Sequence, residues 1–248
     1  MSVTGKTADL IRLAGGKKRP KTSAIIVAAG NSTRMSSTVS KQFLEVAGIP
    51  VLARTLLAFE NTKEIDEIIV VARQSELALV GEIAARWHIS KLAAVVAGGD
   101  TRAASVKNGF LHVHHAAKFV AIHDGARCLV TPQMIEKVCR VAYRHRAATA
   151  ACSVSDTVKT ATKRGFIAKT VDRSTVYLAT TPQIFSTNLY RAALETVKGA
   201  ELLTDDNQLI ERLPYPVKLV DCGKDNIKIT EPRDMRLAEF ILKEREGE

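Results

Sequence analysis

Short apolar runs rich in Val and Ile recur along this chain, each followed by a stretch of helical spacing. The runs AIIVAA (Ala24 to Ala29), EIIVVA (Glu67 to Ala72), AAVVA (Ala93 to Ala97), FVAIH (Phe119 to His123) and TAACSV (Thr149 to Val154) read as strands. Between them the spacing predicts helices over Val51 to Glu60, Ser75 to Trp87, Arg102 to His115 and Pro132 to Arg146, the last opened by Thr131 as a cap and Pro132 at its first position. Strands with no polar face are buried on both sides, and strand–helix alternation yields parallel strands joined by crossover helices. The predicted fold is therefore α/β, a Rossmann-like doubly wound and mostly parallel sheet.

The rhythm breaks after Ser155. The stretch from Asp156 to Phe185 is rich in Thr and Lys, with a turn around Lys163 to Gly165, and reads as a ribbon pairing Thr157 to Ala161 with Ile167 to Val171. A lone two-stranded ribbon is marginal in water, so it is expected to protrude as a β-arm (about 156–173) and to pack on a second copy of the chain, giving a homodimer. The chain then returns through helices near Ser186 to Val197 and Asp205 to Leu213, a strand at Val217 to Val220 and a final helix from about Glu231. No internal repeat or low-complexity linker divides it. One domain over 23–248 is expected, preceded by a basic, poorly ordered extension over 1–22.

That extension accounts for much of the charge. Residues 1–21 hold six cations against Asp9 alone, half of the net +10. With the excess confined to a tail and aromatics at 5%, a nucleic-acid-binding protein is the weaker reading; it requires salt-sensitive binding by a core lacking residues 1–21. No apolar run approaches the ~20 residues of a membrane span, and no secretory leader is evident, so a soluble cytoplasmic protein without membrane partners is expected. Cys128, Cys139, Cys152 and Cys222 are scattered without a CxxC pair, and His112, His114 and His115 lack a second ligand cluster, so no protein-held metal is expected. Trp87 reads as helix packing.

The chemistry concentrates at the carboxyl ends of the strands. After AIIVAAG the chain turns small and polar, then presents Arg34 and, seven residues on, Lys41 within S-K-Q-F. The stretch is neither GxxxxGK[ST] nor GxGxxG, so the P-loop and dinucleotide readings fail. A planar fork and a movable point charge on a glycine-started loop suit a polyphosphate. Further on, AGGDTRAAS places glycines before a helix start, with Asp100 or Thr101 as its cap and with Arg102 and Ser105 on the first turn, where a phosphate or base fits. HDGAR sets His123, Asp124 and Arg127 at the end of the fourth strand, where an aspartate beside phosphates could face Mg²⁺. No serine or cysteine pairs with the His–Asp couple as a nucleophile.

In order along the chain, these motifs resemble the pyrophosphorylase-type nucleotidyltransferases, and more narrowly the methylerythritol phosphate cytidylyltransferase family, from Ser23 to about Leu242. The resemblance implies transfer of CMP from CTP to a polyol phosphate, with Mg²⁺ carried mainly by the CTP phosphates. It implies Arg34 and Lys41 as catalytic residues, and Ala28, Ala29, Gly30, Gly99, Asp100, Ser105, Gly125 and Lys228 at the nucleotide. Asp124, Arg127, Thr157, Arg173, Thr181 and Thr204 would lie at the polyol phosphate, with Thr157 and Arg173 supplied by the neighbouring subunit's arm. The family string is HDAAR followed by proline, so Gly125 and Cys128 depart from it. A ribitol 5-phosphate enzyme would share the chemistry with a different polyol. No general base is needed: a phosphate monoester, with a second pKa near ~6, is already a nucleophile at neutral pH.

Overall fold

The computed structural model describes residues 19–30, 40–197 and 203–247. Seven strands form one sheet in the order β11-β7-β10-β6-β1-β4-β5. They are β1 (Thr22–Val27), β4 (Glu67–Ala72), β5 (Leu92–Ala97), β6 (Phe119–Asp124), β7 (Ala147–Ser153), β10 (Tyr177–Ser186) and β11 (Lys218–Asp221). β1 pairs in parallel with β4 and β6, β4 with β5, and β11 with β7, while β10 runs antiparallel to both β6 and β7. β2 (Glu45–Val46) and β3 (Ile49–Pro50) form a small separate hairpin.

Period-two alternation divides the core. Ala24, Ile26 and Ala28 of the first strand segment face one cluster with Ile68 and Val70. There they meet Leu52, Leu56 and Phe59 of α1 (Val51–Glu60), Val80 and Ile83 of α2 (Leu77–Arg86), and Ile135 and Val138 of α4 (Pro132–His145). Ile25 and Val71 point the other way, toward Val106 and Phe110 of α3 (Arg102–Phe110), Tyr190 of α5 (Thr187–Thr196) and Ile210 of α6 (Asp206–Glu211). The result is the expected doubly covered sheet. α7 (Pro232–Glu246) closes a third cluster with buried Ala126, Leu129 and Ile229.

The differences from expectation have local causes. β10 lies beyond the arm expected over 156–173 and is not among the expected strands: YLATTPQIFS is exposed over its outer half and holds a proline, which a central strand normally excludes. Pro182 is tolerated because the register with β7 shifts between Ala179 and Gln183. α3 ends at Phe110 instead of His115, where a turn leads into β6: Ala117 donates to the His114 carbonyl at 2.8 Å. The segment bearing Lys228 has no ladder; Ile229 donates to the Ala126 carbonyl at 2.8 Å. The ribbon forms as β8 (Lys159–Ala161) against β9 (Ile167–Thr170), with Gly165 at φ 83° in its turn. Arg19, counted with the tail, is anchored by a bidentate pair to Asp66 at 2.7 and 2.9 Å, and β1 already includes Thr22. The rest of the extension, residues 1–18, lies outside the described residues.

Candidate active site

The carboxyl ends of β1, β4, β5 and β6 open on a cavity of about 620 Å³, lined from six separate stretches of the chain. β1 delivers Val27, Ala29 and Gly30, and the single 3-10 turn Lys41–Phe43 delivers Lys41 and Gln42. The turn is tied back to the strand by the Gln42 amide, which donates to the Ala28 carbonyl. The β5–α3 turn contributes Gly98, Gly99, Asp100, Thr101, Arg102 and Ser105, and Asp124 and Lys228 close the far wall.

The glycines of the β5–α3 turn answer a steric demand. A Cβ on Gly98 would run into Ala29 Cβ, and one on Gly99 would stand 2.6 Å from Ala104 Cβ, so only glycine lets this turn lie against the β1 end. Thr101 caps α3, accepting from the Ala104 N–H at 3.0 Å, which decides between the two expected caps. Ser105 Oγ accepts the Gly99 N–H at 3.1 Å and donates to the Thr101 carbonyl at 2.9 Å, so it shapes the turn as well as lining the cavity.

Electrostatically the site centres on Asp124. Its carboxylate lies 2.9 Å from Lys228 Nζ, 3.4 Å from Arg102 Nε and 3.5 Å from Arg127 Nε. Burial alone would raise this carboxyl, but Lys228, Arg102 and Arg127 outweigh it and hold it well below the usual carboxylate range. Arg102 also reaches Asp206 at 2.6 Å, and the Tyr190 hydroxyl donates to the same carboxylate at 2.6 Å. Burial works against the charge on Arg102, and Asp206 and Asp124 override it, so its pKa is raised. Behind Arg102 a second cavity of about 320 Å³ lies between α3, α5 and α6.

Ala29, Gly30, Lys41, Gly99, Asp100, Ser105, Asp124 and Lys228, each expected from the sequence, thus meet at one cavity. Ala28 and Gly125 stand directly behind it: a Cβ on Gly125 would lie 3.3 Å from Ala28 Cβ and 3.2 Å from the Val27 carbonyl oxygen. Arg127 backs the wall, donating to the Asn226 carbonyl at 2.9 Å, and the departing Cys128 is buried in the third cluster. Arg34 lies outside the described residues.

Three expected contacts are not brought together within one chain. Thr157 and Arg173 are exposed on the arm, where Arg173 donates to the Ser155 carbonyl. Thr204 is exposed and accepts from the Gln208 amide at 2.6 Å, while Asp205, not Thr204, caps α6. Thr181 is 3% exposed and its hydroxyl is engaged by Asp124 and His123, so it buttresses the wall from behind. Sequence reasoning missed Gln42 and Arg73 as lining residues, and saw Arg102 on the first helical turn without its carboxylate partners. The spacing of TR after GGD was the available signal for Arg102. Its partner Asp206 is a hundred residues away and only the fold supplies it.

Comparison with known proteins shows the family. The family described as IspD: 2-C-methyl-D-erythritol 4-phosphate cytidylyltransferase matches residues 22–244. The 2-C-methyl-D-erythritol 4-phosphate cytidylyltransferase of Syntrophus aciditrophicus is 40% identical over 231 residues, covering 92% of this chain and 99% of the relative. That of Caldanaerobacter subterraneus subsp. tengcongensis is 41% identical over 223 residues, 89% and 98% of the two chains. The 4-diphosphocytidyl-2C-methyl-D-erythritol synthase structure from Anaerococcus prevotii superposes with a TM-score of 0.79 at 32% identity, covering 90% of this chain and 96% of the other. The Thermus thermophilus cytidylyltransferase gives 0.72 at 32%, covering 90% and 99%. With a family match over residues 22–244 and relatives 40–41% identical over about nine-tenths of it, the chain belongs to the 2-C-methyl-D-erythritol 4-phosphate cytidylyltransferase family.

Proposed function

We propose that the 620 Å³ cavity binds CTP across the β1 end and the Gly98–Asp100 turn, and that CMP is transferred there to 2-C-methyl-D-erythritol 4-phosphate. The products are 4-diphosphocytidyl-2-C-methyl-D-erythritol and pyrophosphate. The observation that carries this reading is the convergence of Lys41, Lys228, Arg102 and the glycine turn on one cavity. In the reaction an oxygen of the acceptor phosphate forms a bond to the α-phosphorus as the bond from that phosphorus to the bridging oxygen breaks, and pyrophosphate departs. The acceptor needs no base, since its phosphate is already ionised. The barrier is the meeting of two polyanions, which pre-placed cations lower. Lys41, together with Arg34, stabilises the charge building on the transferring phosphoryl group. Lys228 and Arg127 order phosphate oxygens beside Asp124.

The donor set suits a magnesium ion that arrives on the triphosphate. Mg²⁺ commonly binds through one or two carboxylates plus substrate phosphates, and among the described residues no group of three or more His, Cys, Asp or Glu forms a cage. Asp124 is already matched by three cations. When bound, the ion neutralises phosphate charge.

Thr157 and Arg173 belong to the acceptor site of a second subunit. Phe166, Ile167 and Leu178 are 69%, 68% and 58% exposed on and beside the two-stranded arm, a surface that a homodimer would cover. No helix among the described residues is long and apolar enough to cross a membrane. Pyrophosphate release measured with each of four nucleoside triphosphates and several polyol phosphates, with and without Mg²⁺, tests the reading. Turnover is expected with CTP, Mg²⁺ and 2-C-methyl-D-erythritol 4-phosphate; preference for another nucleotide or for ribitol 5-phosphate overturns it.

A further inference from the structure

Behind the acceptor wall lies a hydrogen-bond chain whose direction the geometry fixes. His123 is fully buried at the end of β6, its ring tilted against Phe59 with centroids 5.0 Å apart. Nε2 stands 3.2 Å from the Arg127 carbonyl oxygen and Nδ1 3.0 Å from Thr181 Oγ1. A carbonyl oxygen only accepts, so Nε2 carries a proton. Burial pushes the imidazole pKa down to about 3, which leaves the ring neutral near pH 7 and Nδ1 a bare acceptor. The Thr181 hydroxyl therefore donates to Nδ1, and its oxygen accepts the Asp124 backbone N–H at 3.1 Å. The chain runs from the amide of Asp124 through Thr181 and His123 to the carbonyl of Arg127.

These are the two ends of the turn that carries the wall. Within it, Arg127 donates to the Asp124 carbonyl at 3.0 Å, and Thr55 donates to the Gly125 carbonyl at 2.9 Å. Asn226 donates to the Thr181 carbonyl at 2.8 Å and offers its own carbonyl to the Arg127 guanidinium. The imidazole is the one ring that joins the turn's far end to the strand behind its near end.

We propose that His123, as the neutral Nε2–H tautomer, is a positioning residue for cytidylyl transfer. Together with Thr181 it pins both ends of the 124–127 turn and so aims the Asp124 carboxylate and the Arg127 guanidinium. This rests on the assignment of those two residues to the acceptor side of the cavity. His123 does not act as a base, since both ring nitrogens are engaged and the side chain is sealed from the cavity.

The test separates positioning from mere packing. His123→Asn keeps an acceptor at the Nδ1 position and removes the Nε2–H donor; His123→Gln returns an amide donor at the Nε2 position. Thr181→Val removes the hydroxyl at nearly constant shape. Steady-state kinetics on the full chain with CTP and 2-C-methyl-D-erythritol 4-phosphate are combined with thermal melts and the ¹⁵N imidazole spectrum of the unsubstituted protein. The expected spectrum has Nε2 protonated and Nδ1 bare at pH 7. Thr181→Val and His123→Asn are expected to lose roughly 10–100-fold in kcat/KM for the acceptor, with KM for CTP changed less than about twofold, and His123→Gln to regain most of it. A proton on Nδ1 overturns the proposal whether or not a variant folds. So do variants that melt lower while their folded fraction keeps native kinetic constants, or a Gln variant no better than Asn. An unsubstituted protein with no turnover on this pair overturns the transferase reading instead, and the spectrum still decides the tautomer.

Discussion

Lys41 illustrates what a short motif reveals and what it withholds. S-K-Q-F showed a cation near a glycine loop, and the fold explains why it stays there: the side chain is 9% exposed on a 3-10 turn that Gln42 fastens to Ala28. Lys41→Ala should lower kcat by about 10²–10³-fold while CTP still binds, as seen by single-turnover kinetics alongside nucleotide titration. His123 leads to a prediction about stability. Its pKa falls from an unfolded value near 6.5 to about 3 in the fold because burial disfavours the imidazolium. Between those values the unfolded chain binds the extra proton, so stability rises with pH. It is fully present above about pH 6.5 and declines as pH falls toward 3, at up to about 1.4 kcal/mol per pH unit. Denaturant melts at pH 7.5 and 5 should show this slope, and His123→Gln should flatten it. The histidine was legible as part of HDGAR, but not its role, because the partners that define it are Thr181 and the Arg127 backbone.

At the scale of elements, periodicity carried most of the information. α1 spans Val51–Glu60 as its spacing predicts, and β4 spans Glu67–Ala72. β10 was hidden because its two halves live in different solvents: Tyr177 and Leu178 are exposed, while Ile184 and Phe185 are fully buried. No single pattern covers such a strand, and Pro182 argued against it. α3 carries a second kind of constraint. Gly109 is buried where the helix crosses the sheet, and a Cβ there would lie 2.7 Å from both Ile25 Cγ2 and Val71 Cγ2. Those are branched core methyls with little room to retreat, so Gly109→Ala is expected to cost about 1–3 kcal/mol despite its better helix propensity. Urea unfolding checks the value. Since α3 also bears Arg102 and Ser105, the same variant should raise KM for CTP.

For the whole molecule, the proposal that the arm completes a neighbour's site can be tested directly. If Thr157 and Arg173 complete a neighbour's cavity, Lys41→Ala and Arg173→Ala chains are each nearly inactive alone. Mixed and allowed to exchange subunits, they should regain roughly a quarter of the native sites, whereas a self-contained subunit would regain none. Light scattering on the native chain should give twice the monomer mass of 27.0 kDa. The arm's ribbon was legible in the sequence, and the structure adds the bare Phe166 and Ile167 along it. Charge acts at this scale too. At the sheet edge Asp124 sits as a resident anion among Lys228, Arg102 and Arg127. A built-in counter-ion holds three cations in a fixed array before any ligand arrives, and leaves them with charge to spare. Such an array discriminates by ionisation state, favouring a doubly charged phosphate over its singly protonated form. The acid limb of the rate profile then belongs to the substrate: an acceptor carrying a more basic phosphonate should shift it upward.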